Sequence, residues 1–190
     1  MNDRSVNTPS SLGIWDNNAS GNRIQFFDSK HMFAENPTLY ADASSLTDES
    51  TYYYIQFKTG GAVVEDKGAG INAQTAAMAH NKNGQFWAFI GTELTSLKAI
   101  NKAGRYLSYS GSRYQTATSA DDAVTFELRQ STAHPGYFEL INSGATQAMN
   151  QVGGTGAGRN LGVWTIGDAN NPLKVILPPA PEEPIFYANA

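Results

Sequence analysis

Between Thr51 and Leu177 the chain writes one pattern three times. "YIQFKTGGAVVED", "LKAINKAGRYLSYSG" and "FELINSGATQAMNQ" each run as an alternating apolar strand, a glycine-containing turn and a second strand. Period-two alternation across a short turn is the mark of a β-hairpin. Three further segments close alike: "QFWAFI" (Gln85–Ile90), "VTFELR" (Val124–Arg129) and "NPLKVI" (Asn171–Ile176). Trp87, Phe126 and Leu173 fall in register at spacings of 39 and 47. Units of about forty residues, with about four strands each, predict an all-β barrel with pseudo-threefold symmetry.

Composition agrees with strands. Eighteen glycines, nine tyrosines and nine phenylalanines are spread among Ser, Thr and Asn, and no segment keeps an apolar helical period over three turns. "NAQTAAMAHN" (Asn72–Asn81) is the best helical candidate, and a short buried strand explains it as well. The apolar fraction of 41% permits a core, and 16% charged residues with a net charge of −4 give no basic face for nucleic acid. No apolar run approaches the ~20 residues of a membrane-spanning helix. There is no cysteine, which leaves neither disulfide nor thiolate metal site. "MNDRSVNTPSS" has no apolar stretch, so a leader is expected further upstream.

A longer repeat frames the short one. "LGIWDNNASGNRIQFF" (Leu12–Phe27) aligns without a gap to "LGVWTIGDANNPLKVI" (Leu161–Ile176), and "PTLYADA" (Pro37–Ala43) resembles "PIFYANA" (Pro184–Ala190). The offsets, 149 and 147, differ by two residues. They predict a tandem unit of domain size. Residues 1–28 are then the tail of a preceding unit and 29–50 a linker. Residues 51–177 form the complete domain, and 178–190 are a stiff, proline-rich linker. The tail lacks its parent domain, so Trp15 is expected to pack on the domain surface or on a neighbouring chain.

"GAVVED" (Gly61–Asp66) followed by "GQFWAF" (Gly84–Phe89) resembles one unit of a ricin-type β-trefoil lectin domain. That family repeats a Gly-apolar-Asp strand and a closing Gln-x-Trp, here Gln85 and Trp87. The resemblance covers about two-thirds of the chain. It departs in keeping a literal Gln-x-Trp only in the first unit, and in lacking the family's cysteines. "YYYIQFKTGGAVVED" and "NLGVWTIGDANNPL" also resemble trefoil modules of secreted Bacteroidetes polysaccharide-handling proteins. The resemblance implies a bacterial, secreted or cell-surface protein. It implies glycan or polysaccharide as partner, with adjacent repeat units or a catalytic domain of the parent protein beside it. No cofactor is implied. Trp87 is expected in the core, because Phe126 and Leu173 can replace it only where burial alone is required.

In ricin-type domains the sugar is held by a strand acid, a mid-unit aromatic and an Asn/Gln pair before the closing strand. Carried over, the third unit fits best. Asn150 stands at the acidic position beside Gln151, Trp164 at the aromatic position, and Asp168, Asn170 and Asn171 before the closing strand. Asn150 is neutral, which weakens the usual acid-to-hydroxyl contact. "GDANNP" also suits a tight turn, so binding and turn chemistry both remain open. The first unit offers Glu65, Asp66 and Gln85, with Met78 and His80 near the mid-unit position. Asp66 reads equally as a solvated hairpin residue. The second unit offers Ser108, Tyr109 and Tyr114. Its tyrosines read either as a sugar platform or as cross-strand pairs.

Catalytic signatures are thin. His31, His80 and His134 stand alone, and neither His-Glu-x-x-His nor Gly-x-Ser-x-Gly occurs. "GGTGAGRNLG" (Gly153–Gly162) reads as a flexible loop, since it lacks phosphate-cradle spacing. Glu65/Asp66, Asp121/Asp122 and Glu182/Glu183 are adjacent pairs. On a strand, neighbours face opposite ways and make poor acid/base couples. No calcium loop is present. The expected function is therefore a non-catalytic carbohydrate-binding module, or else a structural or adhesive spacer. Exposure of Trp164 separates the two.

Overall fold

The computed structural model describes residues 51–178. The preceding tail with its Trp15, the first linker and the second linker after Pro178 lie outside the described residues. The first unit contains β1 (Tyr54–Phe57), β2 (Val63–Glu65), β3 (Gln74–Ala76) and β4 (Trp87–Ile90). The second contains β5 (Lys98–Asn101), β6 (Tyr106–Ser110), β7 (Arg113–Ala117) and β8 (Phe126–Gln130). The third contains β9 (Phe138–Asn142), β10 (Gln147–Gln151), β11 (Leu161–Thr165) and β12 (Leu173–Ile176). The alanine-rich segment takes the strand option. Thr75 is buried between half-buried Gln74 and Ala76, which is period two.

Six strands close into a barrel. β1 pairs with β12 from Tyr54↔Ile176 to Phe57↔Leu173. β4 pairs with β5, and β8 with β9, in the same antiparallel sense. Inside each unit the ends meet at Tyr53↔Trp87, Leu97↔Phe126 and Phe138↔Leu173. The ring thus has no free edge. The middle strands form three hairpins, β2–β3, β6–β7 and β10–β11. These touch one another at Gly162↔Arg113, Asn72↔Gln115 and Gln74↔Asn160. Their inward residues Val64, Leu107 and Met149 join the barrel core. This is the β-trefoil fold.

The core shows why three different residues serve one position. Trp87, Phe126 and Leu173 are all fully buried. Trp87 has a polar handle to satisfy, and its indole nitrogen donates to the Val64 carbonyl at 3.1 Å. Phe126 and Leu173 need no such partner.

The pairing registers also fix which residues correspond between units. Gln56↔Val63, Ile100↔Tyr106 and Ile141↔Ala148 are equivalent pairs. Counting from them, Glu65, Ser108 and Asn150 correspond, as do Asp66, Tyr109 and Gln151. Across the hairpins, Ala76, Ala117 and Trp164 correspond. The mid-unit position therefore falls on Ala76 and Ala117, not on Met78, His80 or Tyr114.

The glycine-rich loop is not loose. Its backbone folds around Thr75, whose hydroxyl donates to the Gly156 carbonyl and accepts from the Arg159 N–H. Gly158 N–H donates to the Thr75 carbonyl at 2.6 Å. The loop fills the junction between the third and first units. Gly60 permits this approach: its φ is +83°, and a Cβ there would lie 2.6 Å from the Gly156 nitrogen. Gly60→Ala is expected to cost about 2 kcal/mol, from a left-handed backbone plus a backbone clash. Chemical denaturation would show it as a lower midpoint at unchanged slope.

Candidate functional site

β10 and β11 form a five-residue ladder, and residues opposite each other share a face. Met149 and Val163 lie on the core side. Ala148, Trp164, Asn150 and Gly162 lie on the other. Trp164 is 58% exposed, which is unusual for an indole in a small domain. Asn150 stands one pair along the same face, within reach of a sugar-sized ring.

The loop before β12 closes over Asn150. The Asn150 amide nitrogen donates to Asn171 Oδ1 at 2.7 Å and to Asp168 Oδ1 at 3.1 Å. The same Asp168 oxygen accepts from the Asn170 N–H at 2.9 Å, the short turn that Asp and Asn favour. Asn171 is fully buried, and its amide donates to the Thr165 carbonyl at 2.7 Å. The sequence motif is therefore both a turn and a cluster. Several groups remain uncommitted among the described residues: Asp168 Oδ2, the Asn150 carbonyl oxygen, the Asn170 side-chain amide and the Trp164 indole N–H. An open carboxylate oxygen, neutral amides and an apolar ring face suit a hydroxylated ligand.

Gln151 does not belong to this group. It is buried, its amide nitrogen donates to the Thr59 carbonyl at 3.0 Å, and its oxygen accepts from the Gly156 N–H at 3.1 Å. Its neighbour Asn150 faces the cluster, and strand alternation turns Gln151 away to brace the glycine-rich loop. Glu139 was not signalled by the motif, yet its buried carboxylate accepts from the Gly167 N–H at 2.7 Å and anchors the site loop. The available signal was an acid between the apolar Phe138 and Leu140 of β9.

The first unit carries the same architecture with its charges rearranged. Gln85 corresponds to Asn171, and its amide donates to Glu65 at 2.5 Å. Lys82 corresponds to Asp168, and its ammonium reaches the same oxygen that Gln85 bonds, Glu65 Oε2, at 3.3 Å. Lys67 adds a second cation at 2.7 Å. Burial would raise the Glu65 carboxyl, but Lys67, Gln85 and Lys82 together hold it below the usual range. Its acceptors are occupied by the protein itself, and Ala76 supplies no aromatic face. Asp66 is not a solvated hairpin residue. It is buried and accepts from the Gly68 N–H, Thr116 Oγ1, Asn101 Nδ2 and Arg105 Nε. Burial opposes its charge, and these four donors overcome it, so its carboxyl also lies below the ordinary value.

In the second unit, Ser108 and Val124 replace the paired polar groups. Tyr114 is fully buried, its hydroxyl donates to Asn142 Oδ1 at 2.6 Å, and burial pushes its ionisation up. It is a core residue and offers no ring to solvent. Tyr109 is half-exposed and leans on Tyr114, with ring centroids 5.1 Å apart. Tyr109 and Tyr114 form a cross-strand pair, of which Tyr109 alone stays half-exposed. Among the described residues, no group of three or more His, Cys, Asp or Glu side chains could hold a metal ion, and no helix is long and apolar enough to cross a membrane.

No protein-family model matches the sequence, and no curated protein does. Solved structures do. A ricin B-like lectin from Macrolepiota procera, in complex with lactose, superposes with a TM-score of 0.60 at 16% identity, over 69% of this chain and 98% of that one. A designed 3-fold symmetric protein, ThreeFoil, gives 0.57 at 15% identity, over 66% and 97%. A GH43 β-1,3-galactosidase gives 0.55 at 19% identity, over 68% of this chain but 27% of that one. At such identities the likeness establishes the fold, a β-trefoil shared with ricin B-like lectins.

Proposed function

We propose that this chain is a non-catalytic carbohydrate-binding module of a larger exported, repeat-containing protein, with its sugar site in the third unit. The exposed indole of Trp164 carries this reading. A solvent-facing Trp beside an uncommitted carboxylate oxygen is what a pyranose needs, with its C–H face on the ring and its hydroxyls on Asp168, Asn150 and Asn170. The spacer reading accounts for the turn bonds but leaves the exposed indole without a purpose. Among the described residues, Glu139 is the acid that bonds the Asp168 loop, and it is buried and committed to the Gly167 N–H, which favours binding over hydrolysis. The long repeat supports a multi-unit parent protein, and so does a similar fold forming about a quarter of a glycosidase chain. In tandem, weak sites gain by avidity.

A glycan-array screen, followed by tryptophan fluorescence titration of the hits, tests the proposal. Asp168→Asn keeps the Oδ1 acceptor of the turn and removes the charge from Oδ2. It is expected to weaken binding about tenfold while the melting temperature holds. Silence across a broad array would return the chain to the spacer reading.

A further inference from the structure

We propose a second ligand site, in the cleft between the second and third units. The three inter-unit junctions are equivalent in backbone and different in filling. Between the first and second units, the space holds the Asp66 carboxylate, bonded by Asn101, Arg105 and Thr116. Between the third and first, it holds Gln151 and the glycine-rich loop. Between the second and third, the register places Tyr109 where Asp66 and Gln151 stand, and Val163 where Thr116 stands. Among the described residues neither side chain makes a hydrogen bond across the junction. What remains is a cleft of about 490 Å³, walled by Tyr109, Val124 and Val163 and edged by Asp122, Asn142 and Gln147. That volume is ordinary for a small-molecule site.

Asn142 points to the ligand. It corresponds to Asn101, whose amide nitrogen donates to Asp66 at 2.8 Å. Asn142 is 92% buried by its 8% exposure, and the buried Tyr114 hydroxyl pins its oxygen. Its amide nitrogen donates to no group among the described residues and reaches accessible surface, and Asn142 lines the cleft. A ligand oxygen in the place of the Asp66 carboxylate would complete it. Among the described residues no Lys, Arg or His lines the cleft, and Asp122 does, so the oxygen belongs to an uncharged ligand. Tyr109 and the valines supply an apolar wall. Fixed amide donor, carboxylate acceptor and aromatic wall together select a neutral pyranose. Val163 and Trp164 lie on opposite faces of β11, so this site is separate from the one proposed above and does not depend on it.

The experiment is a backbone amide NMR titration of the full chain with the methyl glycosides of galactose, glucose, mannose and N-acetylglucosamine. At least one is expected to shift the resonances of Ser143, Gly144, Ala145 and Val163, and to do so equally in Trp164→Ala. Ala145→Phe places a ring at the exposed rim, and Asn142→Asp keeps the acceptor for Tyr114 while removing the donor. Each is expected to weaken the effect about tenfold. The proposal falls if none of the glycosides moves those resonances, if the shifts vanish with Trp164, or if both cleft variants bind as the parent does. In those cases a response at Trp164 would still sustain the third-unit site on its own.

Discussion

Trp164→Ala is expected to weaken glycan binding about thirtyfold and to move the melting temperature by no more than about 2 °C. The two effects separate because the indole is mostly in water. A core Trp removed to Ala costs about 3–5 kcal/mol, but that price attaches to burial, and Trp164 has little to lose. Its worth appears only when a sugar ring covers it. An aromatic anchor at the centre of a small site carries about 2 kcal/mol, which is a factor of about thirty. Trp87 is buried, so among the described tryptophans a ligand-dependent emission change belongs to Trp164. Calorimetric titration of the parent and variant, with thermal unfolding of both, decides the matter. Equal affinity would remove Trp164 from the site.

Asp66→Ala is expected to lower stability by about 3–5 kcal/mol, with no loss of binding at Trp164. Asp66 gathers donors from its own turn, from Asn101 and Arg105 after it, and from Thr116 of β7. Removing the acceptor strands the buried Asn101 amide and Thr116 hydroxyl beside a partly exposed guanidinium, which costs more than the net worth of the bonds. Asp66→Asn is expected to cost less, because one oxygen remains. The pH dependence follows from the same bonds. Asp66 and Glu65 both have folded carboxyls below their ordinary values, so the unfolded chain binds more protons in acid. Their contribution is present in full above about pH 5 and is lost as pH falls through the folded values. The melting temperature should be flat from neutrality down to about pH 5 and decline below about pH 4, less steeply in Asp66→Ala. An unchanged acid limb in the variant would show that other carboxyls govern it.

The barrel was legible because its signals are periodic. Trp87, Phe126 and Leu173 differ in chemistry, yet burial asks only for apolar volume, so spacing alone revealed their equivalence. "NAQTAAMAHN" was ambiguous because alanine serves helix and buried strand alike, and the ladder with β2 decides it. The site was legible residue by residue but not in its allegiances. Asn150 and Gln151 are adjacent in sequence, and alternation alone says that they diverge. It does not say that Gln151 meets Thr59, ninety-two residues away. Tyr114 and Tyr109 look interchangeable in "RYLSYSGSRY", and only the tertiary partner Asn142 separates core from wall. The exchange of Glu65 and Lys82 for Asn150 and Asp168 was invisible until the ladders set the two units in register.

The β1–β12 ladder joins the first barrel strand to the last, so the fold is a ring that the chain happens to enter at Tyr54. Two consequences follow. Folding cannot complete locally: closing that seam requires a loop of more than a hundred residues, which places the domain among slow, high-contact-order folders. Once closed, the ring brings its two ends side by side, so the domain can be threaded into a longer polypeptide like a bead, adding bulk without adding length.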